Sequence, residues 1–160
     1  MTLVPASITL IGHINLAVPI ASAFRLFSPL GEKMWVPGWD PELLFPPNVE
    51  WQEGQLFRTR EESGEAIWIV SKLDLKESCV VYHRIEPGRY VARIKVHCDQ
   101  ETDRSTDVTI VYSFVGLSAI GNQEIAAMSQ GEFDEKMKRW TGWLKTHLQE
   151  RHKKEYSYDT

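Results

Sequence analysis

His83, Tyr90 and Tyr112 are the side chains of this sequence whose types and positions best suit chemistry at an apolar surface. The segment SCVVYHRIEPGRYVARIKVHCD, 78 to 99, reads as two strands joined at Pro87-Gly88, a strong turn signal. With Glu86 paired to Arg89, His83 falls opposite Ala92 and Val81 opposite Ile94. One face then carries Cys79, Val81, His83, Ile85, Tyr90, Ala92, Ile94, Val96 and Cys98. The other carries Val80, Tyr82, Arg84, Glu86, Val91, Arg93, Lys95 and His97. The first set is almost wholly apolar and is expected to face the core. His83 then has two readings. It is a core histidine satisfied by a tyrosine or backbone group, since an unpaired one costs roughly 1–3 kcal/mol. Or it is a polar anchor or general base in a cavity.

In DVTIVYSFVGL, 107 to 117, the bulkier alternate set is Val108, Ile110, Tyr112 and Phe114, which is expected inside. Tyr90 and Tyr112 would then join His83 on the inner surface, satisfying one another or orienting a ligand. No Ser/His/Asp order, metal-ligand spacing or phosphate loop accompanies them. Asp40 and Glu32 read as turn or cap residues.

The elements that must position these groups follow from periodicity. Residues 6 to 18 read as a first strand, and Pro19 opens a short helix that Pro29 ends. Residues 29 to 47, PLGEKMWVPGWDPELLFPP, combine helix- and strand-breaking prolines with Trp35, Trp39, Leu43, Leu44 and Phe45. So large an apolar load predicts a segment packed on the core or forming a pocket wall. We expect it to close one end of the fold, with Trp39 nearer any cavity than its neighbours. Strands follow at 55–61, 65–75, 78–86, 89–99 and 107–117, with a turn at Ser63-Gly64, and imply an antiparallel meander.

From Ser118 the period becomes helical. Ile125, Ser129, Phe133, Met137, Trp140, Leu144 and Leu148 form one stripe of a single long helix, capped by Ser118 or Asn122. Gly131 falls inside it. One α+β domain over 1–152 is expected, with a frayed tail at 153–160.

The composition is that of a globular chain: 160 residues, 42% hydrophobic, 25% charged, net charge −4. It holds six Trp and six Phe, enough for a core. Basic residues alternate with acids, which gives nucleic-acid binding little support. No apolar run approaches the roughly 20 residues of a membrane span. No secretory signal is apparent, and Cys79 and Cys98 lack metal or scaffold spacing, so a cytoplasmic protein with reduced thiols is expected. No cofactor or metal is indicated, and a homodimer is left open.

The layout resembles the helix-grip fold of the SRPBCC superfamily, which includes START lipid-transfer domains, the birch-pollen allergen, polyketide cyclases and Aha-type chaperone activators. The resemblance spans roughly residues 8 to 150. It is carried by GEKMWVPGWDP (31–41), FRTR (57–60), the strand with Trp68, YHRIEPG (82–88) and YSFVGLSAIGN (112–122). Together these resemble a bacterial branch of the superfamily. The resemblance implies a curved antiparallel sheet wrapped around a long C-terminal helix, with two short helices after the first strand. It also implies a mostly apolar cavity between sheet and helix. Ligand-binding candidates are Trp39, His83, Tyr90, Ile94, Tyr112, Met137 and Trp140. Three functions compete. The first is binding or transport of a hydrophobic small molecule, whether lipid, polyketide or aromatic. The second is a cyclase-, hydratase- or hydrolase-like enzyme with His83 as acid/base. The third is a chaperone-activator-like module using a charged outer face at Arg84, Arg93 and Lys95.

Overall fold

The computed structural model describes residues 2–61 and 64–157. Among these residues, seven strands form one antiparallel sheet in the order β1-β7-β6-β5-β4-β3-β2. They are β1 Ser7–Leu16, β2 Glu42–Phe45, β3 Leu56–Glu61, β4 Gly64–Asp74, β5 Cys79–Glu86, β6 Tyr90–Thr102 and β7 Ser105–Gly116. Two short helices, α1 Ile20–Arg25 and α2 Pro29–Glu32, follow β1. The turn expected at Ser63-Gly64 lies partly outside the described residues. A bulge at Ser71 of β4, between the pairs Val70–Tyr82 and Lys72–Val81, adds the local twist that curves the sheet.

Where a single helix was expected there are two, α3 Ala119–Ala126 and α4 Gln130–Ser157. The apolar stripe runs through both and conceals the break. The break has its own signature, however. Ser129-Gln130-Gly131-Glu132 fits a capping box, and the Ser129 hydroxyl accepts the Glu132 N–H at 3.2 Å. Gly131 therefore sits in the first turn of α4, not in a helix interior, and its open side meets only Ser129 Oγ at 3.9 Å. Ser118 caps α3 as expected, accepting the Gly121 N–H at 3.0 Å. Residues 153–157, expected frayed, are helical, and 158–160 lie outside the described residues. Pro29 also begins a helix instead of only ending one. Ser28 caps α2, and proline suits the first helical position.

The core lies between the concave sheet face and α4. Phe133, Met137, Trp140 and Leu144 of α4 are buried against Leu10 and Ile14 of β1 and the inner residues of β6 and β7. Gly12 of β1 permits this approach. A Cβ there would lie 2.5 Å from Met137 Cγ and 3.0 Å from the Phe133 ring.

The inner faces of β6 (Tyr90, Ala92, Ile94, Val96, Cys98) and β7 (Val108, Ile110, Tyr112, Phe114) are as the alternation predicts. β5 is reversed. Glu86 pairs with Tyr90, not Arg89, so the hairpin loop holds three residues, Pro87, Gly88 and Arg89. Gly88 has φ +76° and the Arg89 N–H bonds the Glu86 carbonyl, the pattern of a proline-initiated type II turn. One extra residue flips every side chain of the strand. His83 is therefore paired with Arg93 on the outer face. Val80, Tyr82, Arg84 and Glu86 point inward.

Candidate functional site

Three aromatic residues from neighbouring strands build one wall of a partly open cavity of about 240 Å³. Phe57 of β3 and Trp68 of β4 stack at 5.3 Å with an interplanar angle of 15°. Tyr82 of β5 meets both edge-on at 6.0 Å. Their polar tips are spent on the protein. The Trp68 indole donates to Thr59 Oγ1 at 2.9 Å and the Tyr82 hydroxyl to the Phe27 carbonyl at 2.8 Å. What they present to the cavity is therefore ring surface.

The proline-rich segment supplies the next wall. Trp39 crosses Trp68 at 5.4 Å and is held by a 2.8 Å bond from its indole to the Pro29 carbonyl. It lines the cavity together with Pro29, Glu32 and Val36. Trp35 does not line it. Instead it is buried behind, donating to the Leu26 carbonyl at 2.7 Å and meeting Trp140 edge-on at 5.5 Å. Ile94, Val96 and Tyr112 form the floor, and Lys136, Arg139, Trp140 and Trp143 face it from one side of α4. The helical residues recur at spacings of three and four, which places them on one face.

Hairpin parity concealed one charged residue of the lining, Arg84. Arg84 projects from β5 over Trp68, Tyr90 and Phe114, with its guanidinium carbon 5.4, 5.9 and 5.9 Å from the three ring centroids. Its nearest carboxylate, Glu86, lies at 3.7 Å, and its Nε is buried with no hydrogen-bond partner among the described residues. Glu86 is instead engaged by Arg89 at 2.9 Å, and Arg89 in turn by Glu124 of α3 at 2.6 Å. Lys136 Nζ rests over Tyr112 and Trp140, 4.5 and 5.3 Å from their centroids, with no carboxylate at ion-pair distance among the described residues.

Burial dominates the titration of this site. It pushes the Glu32 carboxyl up to about 8 against the opposing pull of Lys136. It pushes the Lys136 ammonium down to about 8, helped by the positive charge of Arg84 and opposed by Glu32 and Glu61. Burial also raises Tyr112 above its ordinary range and Tyr90 to about 12. At neutral pH the cavity therefore holds a largely protonated Glu32 beside three cations, Arg84, Lys136 and Arg139, and the carboxylate of Glu61.

Of the residues expected at the site, Trp39, Ile94, Tyr112 and Trp140 line this cavity. Tyr90 is buried but lies against Phe114 and beneath Arg84, outside the lining. Met137 turns to β1, under Gly12. His83 is on the opposite sheet face, hydrogen-bonded to the Ser71 hydroxyl, so it cannot act as acid or base in the cavity. Glu32 lines the cavity, whereas Asp40 makes an exposed ion pair with Lys33 at 3.1 Å. Glu61, Arg84, Lys136 and Arg139 were not anticipated here. Arg84 in particular belongs to the inner face, which removes it from the charged outer surface expected of an interaction module.

A second depression of about 770 Å³ runs between Asn15–Val18 and the C-terminal part of α4. It is an open groove without the walls of Trp, Phe and Tyr rings of the first. Cys79 and Cys98 are buried and unbridged, and burial raises the Cys98 thiol to about 12. Among the described residues, no helix is long and apolar enough to cross a membrane.

No protein-family model and no curated protein matches the sequence. Solved structures do. Norcoclaurine synthase from Thalictrum flavum in complex with dopamine and hydroxybenzaldehyde superposes with TM-score 0.64 at 11% identity, covering 89% of both chains. An uncharacterized protein from Rhizobium leguminosarum gives TM-score 0.63 at 17% identity over 89% of this chain and 97% of that one. An aromatase/cyclase from Streptomyces sp. R1128 gives 0.56 at 16% over 89% and 88%. These likenesses show the class of fold: the chain is a helix-grip α+β structure similar to theirs.

Proposed function

We propose that this protein binds a compact, ring-containing hydrophobic small molecule between the curved sheet and α4. The observation that carries this reading is the cavity of about 240 Å³ whose walls are the faces and edges of Trp39, Phe57, Trp68, Tyr82, Tyr112 and Trp140. Ligand sites are mainly apolar with a few placed polar groups, and this lining has that character. Size narrows the ligand. A dry cavity of about 150 Å³ accommodates benzene, so this one suits one or two rings better than a long acyl chain. The ring compounds held by the norcoclaurine synthase of similar fold are consistent with that scale. An enzymatic role resting on His83 has no support, because His83 is not at the cavity.

The test is native mass spectrometry of the purified protein combined with thermal shift against a panel of one- and two-ring compounds and fatty acids. We expect ring compounds to raise the melting temperature in a saturable way, and Trp39→Ala to weaken that rise. If no panel compound stabilises the protein and none co-purifies, the reading is wrong.

A further inference from the structure

We propose that the ligand is an aromatic carboxylate whose anionic group docks between Arg84 and Lys136, an inference that rests on the ring-binding reading above. Both side chains line the same cavity. Neither makes a hydrogen bond to the described residues. Arg84 has only Glu86, at 3.7 Å, and Lys136 has only the faces of Tyr112 and Trp140. Arg84 and Lys136 also repel one another across the site. Buried donors of this kind are ordinarily partnered, and cations removed from water are ordinarily paired. An anion entering the cavity would satisfy both at once.

The chemistry of the lining selects the kind of anion. A guanidinium pairs with a planar carboxylate through parallel N–H···O bonds, and an ammonium adds a point charge from another direction. The charge balance favours a single negative charge. Arg84 is partly neutralised by Glu86, Glu32 is largely protonated at neutral pH, and Lys136 has no carboxylate at ion-pair distance among the described residues, while the other two charged residues of the lining, Arg139 and Glu61, are of opposite sign to one another. The Tyr112 hydroxyl, which lines the cavity with no hydrogen-bond partner among the described residues, is a third donor for the same group. The apolar end of the ligand would lie against Trp39, Phe57 and Trp68.

The experiment is isothermal titration of 1-naphthoate against its neutral isostere 1-naphthamide, using wild type, Lys136→Met, Lys136→Arg and Arg84→Gln, each checked for folding by circular dichroism. We expect wild type to bind naphthoate about tenfold or more tightly than naphthamide. Lys136→Met and Arg84→Gln should abolish that preference while leaving naphthamide binding in place, and Lys136→Arg should keep it. Should Arg84→Gln fail to fold, the two Lys136 variants decide the matter. Equal affinity for acid and amide in wild type overturns the carboxylate assignment and leaves the ring-binding reading standing. No binding of either compound overturns the carboxylate assignment, and overturns the ring-binding reading too when no compound of the ring panel stabilises the protein and none co-purifies.

Discussion

The ammonium of Lys136 sits 4.5 Å from the centroid of the Tyr112 ring, held by a π face where a half-buried lysine would ordinarily have a carboxylate. A cation–π contact returns about 0.5–2 kcal/mol, whereas desolvating an ammonium costs several kcal/mol. The balance is unfavourable, which is why the group titrates near 8. Lys136 is therefore retained at a cost to stability. Lys136→Met, which keeps an unbranched side chain one atom shorter and removes its charge, should raise the unfolding free energy at pH 7 by about 1–2 kcal/mol. Urea denaturation measures this. A loss of stability would mean that the ammonium contributes favourably to the fold.

His83→Ala should leave the cavity untouched. The imidazole is on the outer sheet face with the Ser71 hydroxyl as its partner, so the substitution should cost no more than about 1 kcal/mol. The affinity for 1-naphthoate should stay within about twofold of wild type. A tenfold loss would return His83 to the site.

The faces of β6 and β7 were legible from alternation because neither depends on a loop length. In contrast, β5 was not, because its orientation hangs on whether the Pro87-Gly88 turn holds an even or odd number of residues. Type II geometry, with Gly88 at positive φ, adds Arg89 to the loop and inverts the strand. That single residue moved His83 out and brought Tyr82 and Arg84 in. Lys136 was legible in principle. It stands three residues after Phe133 and four before Trp140, on the apolar stripe itself, where a cation calls for a partner. Glu32 was obscured by the prolines around it, which made a cap residue the simpler reading. The apolar load of the Trp35/Trp39 segment marked it as packed on the core or forming a pocket wall, and the structure divides the two roles, with Trp35 buried and Trp39 lining the cavity.

Gly12→Ala should destabilise the protein through overpacking. The added methyl would press on Met137 Cγ and Sδ, at 2.5 and 2.8 Å, and on Phe133. A cost of about 1–3 kcal/mol is expected. Since the closest atoms belong to a flexible thioether, the cost should shrink when Met137 is shortened. In a double-mutant cycle with Met137→Ala, the two changes should therefore be less than additive by about 1 kcal/mol. Additivity would show that the backbone, not Met137, limits the approach of α4 to β1.

Stability should vary with pH in opposite senses for Glu32 and Lys136. Glu32 has its pKa raised from 4.5 to about 8. The unfolded chain releases this proton near the ordinary value while the folded protein keeps it, so the associated stability is complete at low pH and is lost as pH rises toward 8. Lys136 has its pKa lowered from 10.5 to about 8 by burial and Arg84, with Arg139 adding and Glu32 and Glu61 opposing. Its penalty is complete below about 8 and fades as pH rises toward the ordinary lysine value. The stability gained by Glu32→Gln over wild type should consequently grow from pH 5 to pH 8, and that gained by Lys136→Met should shrink from pH 8 to pH 10. Difference profiles are the proper measure, because the buried Cys98 thiol and the tyrosines Tyr90 and Tyr112 also lose stability in the alkaline range. Urea titrations at five or so pH values would resolve both slopes. A Glu32→Gln difference that is flat from pH 5 to pH 8 would show that Glu32 ionises normally. It would also remove the charge balance on which recognition of a single carboxylate depends.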